Sequence, residues 1–272
     1  MKKVAGDKMI QIEVEAGRTL VENYEFSENR DLEKVIIPDS VERIGKHAFY
    51  NCRNLRSVEI PGHLFQIEDG AFKNCGKLKY VKIISKDGQT ACMKNIVADM
   101  THEIEFEIEY PDGTAKVLVP GYNYDYEIDI NSRVFHEVVY GSGDAYQRCV
   151  GKAKLDYSEY DFLFAVAKRE ELEQTVFHLV ENRLKYPYQL EEDAKEKYIK
   201  YLKDHVDLYL KGIITNNDQQ GLRLAADCEL FQQEKMEEYL DLAAREKNIE
   251  CTAFLLEYQN QHFSLFDQEF EF

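Results

Sequence analysis

The sequence predicts an α+β protein built from two kinds of repeat, a short β-solenoid followed by an α-helical segment. Three observations carry that expectation. A 23-residue period runs through the first third of the chain. A strand–turn–strand pattern around Pro111-Asp112-Gly113 follows it. Beyond Gly151 apolar residues recur at helical spacing while proline nearly vanishes.

The repeat comes first, because a fixed period organises everything local to it. LEKVIIPDSVERIGKHAFYNCRN runs from Leu32 to Asn54, LRSVEIPGHLFQIEDGAFKNCGK from Leu55 to Lys77, and a third copy opens as LKYVKII at Leu78. The aligned columns are Leu32/Leu55/Leu78, Val35/Val58/Val81, Ile37/Ile60/Ile83, Pro38/Pro61, Ile44/Ile67, Ala48-Phe49/Ala71-Phe72 and Asn51-Cys52/Asn74-Cys75. One step upstream, Met9, Ile12, Val14, Val21 and Phe26 keep the register as a degenerate first coil, as a solenoid end requires. Within a coil, LxxVxI alternates inward and outward, so it is a short strand. Proline closes that strand because it cannot donate the next ladder bond. The spacing from Ile44 to Ala48-Phe49 is helical, so a turn with a short helix or 3-10 segment is expected on the return path. Ala48 permits close approach, Phe49 fills the interior, and Asn51 satisfies backbone groups of the closing turn.

IPDSVERIGKHAFYNCRNL and IPGHLFQIEDGAFKNCGKL resemble the BspA-like class of leucine-rich repeats, with the pattern IPxxVxxIGxxAFxxCxxL, over residues 30 to 84. Glu68 departs from that pattern where the first copy has Gly45, and Ile84 departs at the proline column. The resemblance implies a leucine-rich-repeat solenoid and a recognition role, since many members are cell-surface proteins that contact other proteins or cells.

From about Lys86 the pattern breaks. IEFEIEYPDGTAKVLVPG, Ile104 to Gly121, alternates apolar and polar residues about a turn, which predicts a β-hairpin capping the exposed solenoid edge. YNYDYEIDI and RVFHEVVYG add a further strand or two. Six helical segments then follow: YDFLFAVAK, LEQTVFHLVENRL, AKEKYIKYLKDHVDLYLKGII, GLRLAADCELF, KMEEYLDLAARE and CTAFLLEYQN. Short connections predict three antiparallel pairs. Leu240, Leu242, Ala243-Ala244, Glu250 and Leu255-Leu256 resemble the core of an ankyrin repeat over residues 217 to 262, with an internal offset of 31 residues. The expected domains are 1–145, solenoid and β cap, and 150–272, helical repeats.

Composition narrows the function. The chain has 272 residues, 44% hydrophobic and 31% charged, with a formal charge of −17. That sign and the lack of a basic stripe argue against nucleic acid, and no apolar run reaches the ~18 residues of a membrane span. The N-terminal stretch begins with lysines but has no apolar core of a leader. With six scattered cysteines and no CxxC pair, the expected compartment is the cytoplasm. No catalytic set, cofactor motif or metal-ligand spacing stands out. The GSGD turn, Gly141 to Asp144, lacks a phosphate-loop context, and His136 with Cys149 is more simply a surface histidine and a core thiol.

The expectation is therefore a non-enzymatic protein–protein interaction scaffold. The alternative is an exported surface-recognition or adhesion protein. The binding surface is expected on the outward strand columns, Gln11/Lys34/Ser57/Tyr80 and Glu13/Ile36/Glu59/Lys82, with Lys34, Ile36, Ser57, Glu59, Tyr80 and Lys82 as its candidates. A groove lined by Tyr186, Tyr188, Tyr198 and Tyr201 is the second candidate.

Overall fold

One strand per coil, stacked in register, generates the main sheet. The computed structural model describes residues 2–6, 9–129 and 134–263, with side chains over 10–125 and 138–263. In chain order the first strands are β1 (Lys2–Gly6), β2 (Met9–Glu13), β3 (Leu20–Val21), β4 (Leu32–Ile36), β5 (Arg43–Ile44), β6 (Ser57–Pro61), β7 (Gln66–Ile67) and β8 (Tyr80–Ile84). β2, β4, β6 and β8 pair in parallel, and β3, β5 and β7 form a second, short parallel sheet on the return path. Val35↔Val58 and Val58↔Val81 are register partners, so the 23-residue period is the coil itself. Leu32, Val35, Ile44, Phe49 and their equivalents are fully buried between the two sheets. The degenerate first coil forms as expected, with Ile12, Val14, Val21 and Phe26 buried.

The return path corrects one expectation. It holds the two-residue strands β5 and β7 followed by turns, not a helix. The reason is backbone handedness. Tyr24, His47 and Gly70 have φ of 58°, 54° and 68°, and Glu28, Asn51 and Asn74 have 60°, 61° and 64°, each one coil apart. Two left-handed residues per coil break any helix, and asparagine tolerates that conformation better than most residues. Asn51 and Asn74 are thus selected for backbone geometry. The Asn51 side chain accepts from Arg53 Nε at 2.8 Å and does not fill a buried turn. Gly45 has its own cause: a Cβ there would lie 2.3 Å from Asn23 Oδ1 and 2.7 Å from Asn23 N.

Two devices close the solenoid. A helix, α1 (Ala91–Ala98), replaces the next return path. Its Asn95 side chain bonds the Ile67 carbonyl, and Asp99 Oδ2 accepts from Phe72 N at 2.9 Å. The predicted hairpin is β9 (Ile104–Tyr110) with β10 (Gly113–Val119). β9 joins β8 in parallel and β10 returns antiparallel, so the main sheet runs β1-β2-β4-β6-β8-β9-β10. β11 (Asn123–Asp129) and β12 (Val134–Tyr140) make a separate two-stranded sheet.

The helices of the first part are α2 (Gly143–Arg148), α3 (Tyr157–Phe162), α4 (Phe164–Glu170) and α5 (Glu173–Lys185). Those of the second are α6 (Glu192–Asp204), α7 (Val206–Thr215), α8 (Gln219–Asp227), α9 (Met236–Arg245) and α10 (Ile249–His262). The chain divides into compact units at Glu191/Glu192. Thus α2 to α5 belong with the solenoid, although secondary structure changes character near 145–150. Two predicted helices are each broken in two, at Leu163 and at His205. At the second break the His205 ring bonds the Tyr201 carbonyl at 2.9 Å, competing with the backbone ladder.

In the second unit α7–α8 and α9–α10 are helix pairs joined by the same turn. Asn217 and Lys247 have φ of 53° and 59°. The next N–H reaches back five residues, Asp218 N to Ile213 O at 2.8 Å and Asn248 N to Ala243 O at 2.9 Å. That is the Schellman closure. It repeats at 30 residues rather than the 31 read from sequence. The segment is helical and internally repetitive, and its resemblance to ankyrin repeats rests on the sequence alone.

Candidate interaction surface

All six candidate residues lie on the outward face of the main sheet, in two adjoining rows. Lys34↔Ser57↔Tyr80 is one row and Ile36↔Glu59↔Lys82 the next, both half-buried. Gln11 and Glu13 extend the rows on β2, and Glu105 and Glu107 extend them on β9. At the usual strand separation, β2 to β8 presents a platform about 14 Å across. Ile36 is the apolar centre, and Lys34 Nζ approaches Glu59 Oε2 at 3.9 Å beside it.

The face is not open throughout. α5 lies over β9 and β10: His178 Nε2 meets Glu105 Oε2 at 2.5 Å, Asn182 Nδ2 donates to Glu105 at 2.9 Å, and Thr175 bonds Glu103 at 3.1 Å. Lys116 Nζ pairs with Glu107 at 2.8 Å and sits 5.0 Å from the Tyr186 ring centre. Tyr80 shares in this border through a hydrogen bond to Glu107, and burial, with that carboxylate, raises its phenol pKa. Lys82 leans the same way, 2.7 Å from Glu109. Among the described residues, Lys34, Ile36, Ser57 and Glu59 are therefore the part of the platform away from this border, while Tyr80 and Lys82 form its rim. The sequence predicts the β9 strand and the α5 helix, but neither the extra row β9 adds to this face nor that α5 is the helix lying over it. The alternating glutamates of Ile104–Tyr110 were a signal for the first; nothing local signals the second.

The rim carries a titratable pair. The Glu105 hydrogen bond raises the His178 pKa above its ordinary value, against the opposing effect of burial. Burial pushes Glu105 up, but His178, Asn182 and Lys116 outweigh it, and its pKa falls. A raised imidazole stabilises the fold below its unfolded pKa and loses that contribution as pH rises through the folded value. A lowered carboxylate contributes above its unfolded pKa and loses that as pH falls. The pair is therefore strongest between the carboxylate range and the raised imidazole. The charges facing His178 are Glu103 just before β9, Glu105 on β9, Lys116 from β10 and Glu181 from its own helix. Relative to His178→Gln, the native thermal midpoint should exceed most below the ordinary histidine pKa and above the carboxylate range, and lose that advantage as pH rises through the raised imidazole pKa. A pH-independent difference would contradict this.

The four tyrosines of the second candidate are divided between the two units. Tyr198 and Tyr201 are core residues of the second unit. Tyr188 stacks on Tyr110 at 4.3 Å in the first, and Tyr186 covers Lys116. In the 120–150 segment the one described thiol is a core group. Cys149 is buried, its thiol pushed up to about 12 by desolvation, and its Sγ donates to the Tyr146 carbonyl. His136 lies outside the residues whose side chains are described. At the GSGD turn the Glu171 carboxylate accepts from Ser142 N at 2.6 Å and from its hydroxyl at 2.7 Å, so an acid already sits where an anion would. All six cysteines are free and buried. Cys52 and Cys75 donate to Phe26 O and Phe49 O, with thiols raised by burial to about 11 and about 12. Among the described residues no His, Cys, Asp or Glu cluster suits a metal ion, and no helix is long and apolar enough to cross a membrane.

Comparison with known proteins agrees with this architecture over the solenoid. Residues 7–101 match the family model described as BspA type leucine rich repeat region (6 copies). That defines the repeat region as a leucine-rich-repeat solenoid of BspA type. Among solved structures, a leucine rich cell surface protein from Faecalibacterium prausnitzii A2-165 aligns at 25% identity, covering 37% of this chain, with a TM-score of 0.24. The chain matches about a third (32%) of that protein's length. No curated protein matches this chain.

Proposed function

We propose that the chain is a non-enzymatic protein-interaction module and that its partner docks on the platform of β4, β6 and β8. One observation carries the reading: a half-exposed Ile36 held between a lysine and a glutamate on a rigid parallel sheet. Such a surface gives an apolar anchor with charges that orient a partner. The solenoid supplies the rigidity, since stacked coils fix each outward side chain through the ladder. Tyr80 and Lys82 complete the rim.

The test replaces Ile36 with lysine. Glu13 and Glu59 flank the position across the strands, so the new charge meets opposite charges and the fold should hold. Proteins retained by the native chain should be held at least about tenfold more weakly by I36K, the effect of removing a hot spot. The Lys34→Ala, Glu59→Ala, Tyr80→Ala triple variant should behave alike. Equal retention by all three proteins would remove the site from the sheet.

For location, six buried free thiols suit a reducing compartment and support the cytoplasmic reading. The BspA-type match supports a second reading, an exported surface-recognition protein. Fractionation of native cells separates them: protein in the surface fraction supports the second and excludes the first.

A further inference from the structure

Charge is distributed unevenly along this acidic chain. Residues 1–101 carry 16 Lys and Arg against 15 Asp and Glu, while 102–272 carry 18 against 36. In the solenoid, exposed cations stand near the Asn29/Cys52/Cys75 column: Arg30, Arg53, Lys73, Lys77 and Lys79. Arg53 and Lys77 have no carboxylate within ion-pair distance among the described residues. Their bonds go to neutral side chains, Asn51 Oδ1 at 2.8 Å and Asn54 Oδ1 at 2.7 Å. An open groove of about 470 Å³ lies between them, lined also by Asn51, Asn74 and Gly76.

The backbone at this groove is incomplete. Beside that column each coil donates to the next: Glu28 N to Tyr50 O at 2.8 Å, then Asn51 N to Lys73 O at 2.9 Å. The following donor, Asn74 N, has no acceptor among the described residues, because α1 replaces the next coil. The neighbouring ladder shows what completes such a position. Phe26 N bonds Ala48 O, Phe49 N bonds Ala71 O, and Phe72 N bonds the carboxylate of Asp99 at 2.9 Å. At the solenoid end, a carboxylate takes the place of the missing carbonyl.

We propose that this groove is a second interaction site, distinct from the sheet platform, that takes a carboxylate from an acidic segment of a partner protein. The carboxylate accepts from Asn74 N–H as Asp99 does from Phe72, while Arg53 and Lys77 flank it. Gly76 leaves the approach clear, since a Cβ there would meet nothing. Charge-assisted bonds of this kind exceed neutral ones in strength, and their exposure makes them sensitive to salt.

The test uses the ¹⁵N-labelled full chain at low ionic strength, titrated with hexaglutamate and separately with hexathymidylate. Hexaglutamate should shift the Asn74 and Gly76 amides saturably. The Arg53→Ser, Lys77→Ser variant should bind about tenfold more weakly with an unchanged thermal midpoint, since both side chains are exposed. I36K should bind as the native chain does, which separates this site from the platform. An unmoved Asn74 amide, equal affinity in the double variant, or binding of hexathymidylate as tight as that of hexaglutamate would overturn the proposal.

Discussion

Asp161→Ala is expected to cost about 3–5 kcal/mol of stability, because it strands a buried cation. Asp161 on α3 holds Arg183 on α5 through two bonds of 2.8 Å, with the arginine side chain 0% exposed. Arg183 also donates to the Tyr188 carbonyl at 3.1 Å and lies 5.0 Å from the Tyr157 ring centre. Immediately before Asp161, Tyr160 donates to Leu118 O at 2.7 Å and accepts from Leu118 N at 2.9 Å, fastening α3 to β10. This cluster joins the helices of the first unit to the solenoid cap. With aspartate gone, the guanidinium keeps its desolvation and loses its counter-charge. Replacing both partners, Asp161→Leu with Arg183→Met, should cost far less, since a buried pair nearly cancels its own desolvation. Urea titration of the three proteins tests this; a double variant as unstable as the single would contradict it.

Phe49→Ala should cost about 3–5 kcal/mol as well, through a cavity that cannot collapse. Phe49 is fully buried between Phe26 and Phe72, stacked on each at 5.2 Å with interplanar angles of 11° and 7°. Both neighbours are pinned by ladder bonds to the next coil or to Asp99, so neither can move in. Phe49→Leu should cost less than half as much, and Phe26→Ala at the looser end should fall between them. Thermal unfolding of the three variants gives the order; a Phe26→Ala cost equal to that of Phe49→Ala would contradict the stack's graded burial.

Most of the solenoid was legible because a period fixes register. Once Val35, Val58 and Val81 share a column, strand pairing, inward face and outward rows follow together. The hairpin was legible from Pro111-Asp112 and its flanking alternation, which are local. What escaped was set by non-local or backbone causes. The left-handed residues His47 and Asn51 turned a helical spacing into turns. The helix α1 hid in a stretch where the repeat simply stopped. The breaks at Leu163 and His205 lie inside continuous apolar periodicity, which continues across a change of helix axis. The placement of α5 over β9 depends on Glu105 meeting His178, residues 73 apart in sequence. The candidate rows were therefore readable, but not which part of them α5 borders.

The central claim is that a partner docks on the platform of β4, β6 and β8. Its most direct test is a photo-crosslinking residue placed at Ser57 on that face, compared with the same residue at exposed Arg43 on the opposite sheet. Irradiated in native cells, the Ser57 protein should give discrete adducts that the added Ile36→Lys substitution abolishes, while the Arg43 protein should give none of them. Adducts formed equally from both positions, or only from Arg43, would contradict the account.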